Sequence, residues 1–254
     1  MMVKFSVEKY FLKIKLYLFS LIINPMKNKK TYALLVAFTL CFVTNFFGQH
    51  GSYRIKNGFG VMGALTQYDI LTDNFETKAG NSWLLGASAT LDIPHKWYNV
   101  SYNIQLSENK IEIAGRPTNL TASEEFIEYK MFAAQVAMMM HVKLVKSYIT
   151  FDFGPMLQYN DKLQLKDKNQ ETFFINNYSN LTAEDVTDIS KFNFDGAVGI
   201  TAGYEFIKLR AQYIYGFTNI LNKLNKNNLD TAGSTETKFK GNQSMLVFGL
   251  MITF

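Results

Sequence analysis

The sequence predicts an all-β protein, an eight-stranded antiparallel up-and-down transmembrane β-barrel. Three observations carry this expectation. The last twelve residues, Gln243 to Phe254, alternate strictly: Leu246, Phe248, Leu250, Ile252 and Phe254 on one parity, Gln243, Met245, Val247, Gly249, Met251 and Thr253 on the other. Side chains alternate across a strand with period two, so this is a strand with one greasy face and one mixed face. Seven segments upstream show the same period, and the connections between them alternate long and short. A barrel that crosses a membrane with tight turns on one side and longer loops on the other has this rhythm.

The first 48 residues read as leader. Residues 1–25 are a start-site artefact or an extended leader. Residues 26–48 form a signal peptide: a basic start (MKNKK), an apolar core (TYALLVAFTLCFV) and a short exit (TNFFGQ) with cleavage near Gly48. The barrel domain is then 49–254. The leader holds seven of the 26 basic residues and one of the 21 acidic ones, leaving 19 basic and 20 acidic in the mature chain. The sequence pI of about 9.0 is therefore a leader effect, and nucleic acid is not an expected partner. The single cysteine, Cys41, sits in the signal core, so no disulfide framework is available to the mature chain. Mean hydropathy is only −0.04, as expected where half of each strand faces inward and stays polar.

The first strand is expected over Gly58–Tyr68, with Phe59, Val61 and Leu65 on one parity. The second, Ser82–Ile93, sets Trp83, Leu85, Ala87, Ala89 and Leu91 against Ser82, Gly86, Ser88, Thr90 and Asp92. The third, Tyr98–Ser107, is the cleanest: Tyr98, Val100, Tyr102, Ile104 and Leu106 against Asn99, Ser101, Asn103, Gln105 and Ser107. The fourth, about Glu125–His141, begins by alternating and runs into an Ala/Met-rich stretch with helical propensity. The strand count assigns it as a strand carrying a bulge. The fifth, Tyr148–Tyr159, the sixth, Phe192–Phe206, and the seventh, Leu209–Phe217, alternate in the same way. Long connections are expected at 69–81, 108–124, 160–191 and 218–242. Short ones are expected at 94–97, 142–147 and 207–208. Aromatics gather near both rims, as two interface girdles would.

Together the signal peptide, the stretch IPHKWYNVSYNIQLSENK, the hairpin FNFDGAVGITAGYEF–KLRAQYIYGFTN and the terminal QSMLVFGLMITF resemble the PorT-like outer-membrane β-barrel proteins of Bacteroidota. The resemblance covers the mature chain and implies an outer-membrane location. It implies that the terminal aromatic, Phe254, is read by the barrel-assembly machinery. Outer-membrane lipid and an envelope or secretion complex become the candidate partners. It carries no functional residue across.

The residues themselves offer little chemistry. Asp92, Glu128, Lys130, Asp152, Asp195, Glu205 and Arg210 are expected to face inward, where a narrow eight-stranded interior is filled by side chains. His50, His95 and His141 are the only histidines; no Ser/His/Asp order and no strand-to-helix nucleophile turn is present. No catalytic residue, metal site or cofactor is expected. A two-residue turn at Ile207-Lys208 would place Glu205 opposite Arg210 as a structural ion pair inside the barrel. The longest loop, 160–191, is expected to be a solvated surface loop in which Thr182 caps a helical turn with Asp185 at its third position. The function expected is non-enzymatic: a structural, surface-interaction or envelope accessory protein. The alternative is a secreted lipocalin-like barrel binding a small apolar ligand, which would turn its greasy face inward.

Overall fold

The computed structural model describes residues 56–92, 96–118, 124–204, 206–227, 229–234, 236 and 238–254. The segments expected to be leader and signal peptide, with His50 and His95, lie outside them. Ten strands follow in order: β1 (Lys56–Leu71), β2 (Thr77–Asp92), β3 (Tyr98–Arg116), β4 (Glu125–Val145), β5 (Ile149–Asn160), β6 (Gln164–Leu165), β7 (Phe174–Ile175), β8 (Phe192–Tyr204), β9 (Ile207–Gly216) and β10 (Asn242–Thr253). The eight long ones form a ring of antiparallel neighbours, β4-β5-β8-β9-β10-β1-β2-β3, with β3 pairing back to β4. The two ends of the chain's sheet meet where β1 pairs with β10, from Gly60↔Thr253 to Leu71↔Asn242. Phe59 and Phe254 exchange both backbone hydrogen bonds, at 3.0 and 2.8 Å.

β1, β2 and β3 run further toward the long-loop side than the sequence suggests, while β4 and β9 lengthen at the short-turn side. The connection expected at 69–81 shrinks to 72–76, and that at 108–124 to 117–124. The cause is an inversion of the alternation code. Along the lower part of β3, Tyr102, Ile104 and Leu106 are exposed while Ser101, Asn103, Gln105 and Ser107 are buried. Above Ser107 the same outward parity carries Glu108, Lys110 and Glu112, and the inward parity carries Asn109, Ile111 and Ile113. β4 inverts at the matching level: Phe132, Val136 and Met138 point out below, Glu128 and Lys130 above, with Ile127, Tyr129 and Met131 buried behind them. A segment with charges outside and isoleucines inside reads as a strand in water. One with aromatics outside and amides inside reads as a strand in an apolar medium.

The buried apolar residues of the upper strands are covered by the two longest connections. From 161–191, Leu163, Ile175, Tyr178, Leu181, Val186 and Ile189 are buried; from 217–241, Ile220, Leu221, Leu224 and Phe239 are. They pack in one cluster with Tyr68, Ile70, Phe75, Ile111, Ile113, Ile127 and Tyr129 of the strands and β1–β2 connection. β6 extends β4 (Tyr129↔Leu165) and β7 extends β3 (Gly115↔Ile175), so the loop is stitched to the strand tops by backbone hydrogen bonds. The 160–191 segment is thus a folded cap with a core, not a solvated loop. The expected turn is present at Asp185–Thr187, with the roles reversed: the Asp185 carboxylate accepts from the Thr182 N–H (2.9 Å) and hydroxyl (2.7 Å). The bulge expected in β4 sits at its lower end, between Lys143 and Val145 opposite β5.

Candidate functional site

Two polar layers fill the inside of the ring, separated by methionines and small residues. The lower layer is built from three adjacent strands. His141 on β4 lies directly opposite Asp152 on β5, and Asn99 on β3 lies opposite His141, which brings Ser101 within diagonal reach. Ser101 Oγ lies 2.7 Å from His141 Nε2, and His141 Nδ1 lies 2.7 Å from Asp152 Oδ1. Asn103 Nδ2 donates to Ser101 Oγ at 2.9 Å. Thr150 donates to Asp152 Oδ1 at 2.7 Å, and the Thr201 hydroxyl donates to Asp152 Oδ2. Arg210 Nε donates to Thr201 Oγ1 at 3.2 Å and lies 3.9 Å from Asp152 Oδ2. The upper layer is a chain of amides: Gln135 donates to Gln158, Gln158 to Gln243 and Asn160, and Asn193 to Asn160. Asp195 is fully buried near this layer, where it has no ion-pair partner among the described residues and the Gln243 side-chain amide is its hydrogen-bonding neighbour.

Several sequence expectations meet this geometry and others do not. Asp152, Asp195 and Arg210 face inward as expected. Asp92 is half-buried and bonds Lys143 at 2.8 Å. Glu128 and Lys130 face outward instead, because they lie above the level where the alternation inverts; Glu128 is tied to Lys166 at 2.7 Å. Glu205 lies outside the described residues, so the expected pair with Arg210 has only one described member. The register that produced it is not the one observed. Tyr204 pairs with Ile207, and Arg210 faces Thr201. The carboxylate nearest Arg210 is Asp152. Phe254 projects outward and is 76% exposed.

The Ser101–His141–Asp152 alignment was not legible as a motif, since its members are widely spaced on three strands. Its order matches nucleophile, base and orienting carboxylate. Its surroundings do not match a working nucleophile. Ser101 is 1% exposed, and its oxygen is already held by Asn103 and His141. Among the described residues no group of three His, Cys, Asp or Glu side chains gathers as metal ligands.

At the cap, Asp188 bonds Lys223 at 2.6 Å and joins the two long connections. That hydrogen bond holds the Asp188 carboxyl below its ordinary value. Asn74, Asn219 and Asn225 complete the weld through side-chain bonds to the backbone of 238–241.

No protein-family model matches the chain, and no curated protein matches it either. Among solved structures, Neisserial surface protein A aligns over 77% of this chain and 97% of its own at 12% identity, with a TM-score of 0.43. Ail, the attachment invasion locus protein of Yersinia pestis, in complex with the heparin analogue sucrose octasulfate, aligns over 78% and 99% at 9% identity, with a TM-score of 0.41. The translocator domain of the autotransporter NalP from Neisseria meningitidis aligns over 88% and 96% at 10% identity, with a TM-score of 0.30.

Proposed function

We propose that this chain is an integral outer-membrane β-barrel, eight-stranded and up-and-down, with a non-catalytic, non-conducting interior and a rigid cap displayed at the cell surface. The inversion of the alternation on β3 and β4 carries the reading. Below it the outward surface is Phe, Tyr, Leu, Ile, Val and Met; above it that surface is Lys and Glu, with Phe126 lying under Lys78. Water on both sides of a strand gives no reason for the change. A lipid boundary at the level of Leu106 and Phe132 does. From Phe132 to Val142 a strand rising ~3.3 Å per residue and tilted by ~40° climbs roughly 25 Å, the height of an outer-membrane apolar band. An apolar-ligand barrel needs the reverse arrangement, with Phe and Leu inside.

The interior argues against catalysis and conduction alike. Amides, hydroxyls and methionines fill it, and the cap core closes its upper end. What such a molecule offers its surroundings is its cap and its lipid-facing belt. It acts as a structural or surface-interaction protein, or as an accessory to an envelope or secretion assembly, in keeping with its PorT-like resemblance. The exposed Phe254 at the end of β10 suits recognition by the barrel-assembly machinery. The test is fractionation with a gel-shift assay. The protein should extract only with detergent and migrate differently before and after boiling. A species that is soluble without detergent would overturn the membrane reading. A fluorophosphonate probe should leave Ser101 unlabelled, and labelling abolished by His141→Ala would overturn the non-enzymatic one.

A further inference from the structure

The row above the inversion holds an arrangement that the barrel itself does not explain. Lys110 on β3 and Lys130 on β4 are direct cross-strand partners, and both point outward. Like charges facing each other across a strand pair are destabilising, and opposite charges are the usual solution. On the next row up, Glu112 and Glu128 also face each other, but each has its own cation: Lys78 at 3.2 Å and Lys166 at 2.7 Å. Neither Lys110 nor Lys130 has an ion-pair partner among the described residues. On the row below, Trp83, Glu108 and Phe132 pair side by side across β2, β3 and β4, with both aromatics exposed. Counting Lys78, Lys110, Lys130 and Lys166 against Glu108, Glu112 and Glu128, the patch carries one surplus positive charge, centred on the facing lysines.

Height decides what that charge meets. One row is two residues, about 6.6 Å along a strand and roughly 5 Å along the membrane normal at a ~40° tilt. The lysine pair therefore sits about 5 Å above the aromatic row. Interfacial aromatics mark the headgroup level, and lysine stems snorkel from the apolar edge toward the headgroup anions. We propose that Lys110 and Lys130 form a clamp for a phosphate group of an outer-leaflet lipid, one ammonium on each side of the anion, with Trp83 and Phe132 against the base of its acyl chains. This proposal rests on the membrane placement above.

The test is native mass spectrometry of the full barrel in a zwitterionic detergent, with a phosphorylated lipid A and the same glycolipid stripped of its phosphates. Wild-type protein should retain the phosphorylated lipid and not the stripped one. Lys110→Gln or Lys130→Gln should each weaken retention about fivefold, and the pair roughly twenty-fold, from the strength of one lysine at an anionic surface. Lys226→Gln, on the exposed cap, should change nothing. All three positions lie outside the core, so the variants keep the heat-dependent gel shift. Equal retention by wild type and the double variant would overturn the clamp and leave the membrane reading intact. Displacement of the lipid by inorganic phosphate at equal concentration would show a free-phosphate site and overturn the lipid assignment. Loss of the gel shift in wild type would instead remove the membrane reading beneath both.

Discussion

Asp152 is the most connected side chain inside the ring, and replacing it with alanine is the sharpest probe of the interior. The change removes the acceptor of three hydrogen bonds, from His141, Thr150 and Thr201, and the carboxylate nearest Arg210. A hydrogen bond to a charged group contributes about 1.5–3 kcal/mol, so three independent ones would sum to roughly 5–9 kcal/mol. They are not independent, because the threonine hydroxyls can rotate to other acceptors. Breaking one partner of a buried charged pair costs about 3–5 kcal/mol, and that is the expected loss for Asp152→Ala. Asp195 provides the internal control. It is as deeply buried and meets the Gln243 amide but no cation among the described residues, so Asp195→Asn removes a charge that no opposite charge compensates. That variant should fall within ~0.5 kcal/mol of wild type or be more stable. The assay is urea unfolding of the barrel in lipid vesicles, followed by tryptophan fluorescence and by gel shift. Asp152→Ala within ~0.5 kcal/mol of wild type, or Asp195→Asn as costly as Asp152→Asn, would refute the account of the interior.

The double change Asp152→Ala/Arg210→Ala should cost less than the sum of the two single changes, since each single change strands the other charge; urea midpoints read the coupling. A Cβ at Gly154 would collide with the Met138 carbonyl oxygen, where β4 and β5 approach without a paired ladder, so Gly154→Ala should cost about 2 kcal/mol or more in the same assay. The purified barrel in planar bilayers should show no steady conductance, and stable single-channel currents would contradict the filled interior. At the cap, the lowered Asp188 carboxyl contributes stability that is present above the ordinary carboxylate value and is lost as pH falls through the lowered one. Protection of the Ser190 amide from hydrogen exchange, taken relative to its intrinsic rate, should therefore fall below pH ~4; that amide bonds the Ile220 carbonyl at 2.8 Å. Lys223→Gln should flatten that dependence.

The eight strands and their two faces were legible because period-two alternation survives any uncertainty in register. Strand length was not. An apolar outward parity was the signal for a strand, so β1, β2 and β3 seemed to stop where Asp69, Asn81 and Glu108 introduce polar outward positions. The strands continue there with the parity inverted, as the proposed passage from lipid into water would require. The same change turned Glu128 and Lys130 inward on paper. The β8–β9 turn illustrates a second limit. Pairing Tyr204 with Ile207 instead of Phe206 with Leu209 shifts the partner of Arg210 from Glu205 to Thr201 while Arg210 keeps its expected inward face. Alternation fixes the face; only the turn fixes the neighbour. The Ser101, His141 and Asp152 cluster depends on two registers at once. Hairpin arithmetic about the turn at Lys146–Tyr148 sets Asp152 opposite Val142, and only the bulge between Lys143 and Val145 moves it opposite His141.

The capped upper end carries a consequence for assembly order. Its core draws side chains from β1, β3 and β4, the β1–β2 connection and both long connections, so it is complete only once β1 through β4 stand side by side. In the proposed topology, segments 161–191 and 217–241 cross the bilayer as unfolded chain. They condense only on the far side, where Ser179 meets Ala232 and β6 and β7 find β4 and β3. That late condensation traps the strands in register from above and makes retreat through the membrane require melting the cap first. The cap is then a one-way catch, and the slow step of leaving the membrane belongs to the loops and not to the belt.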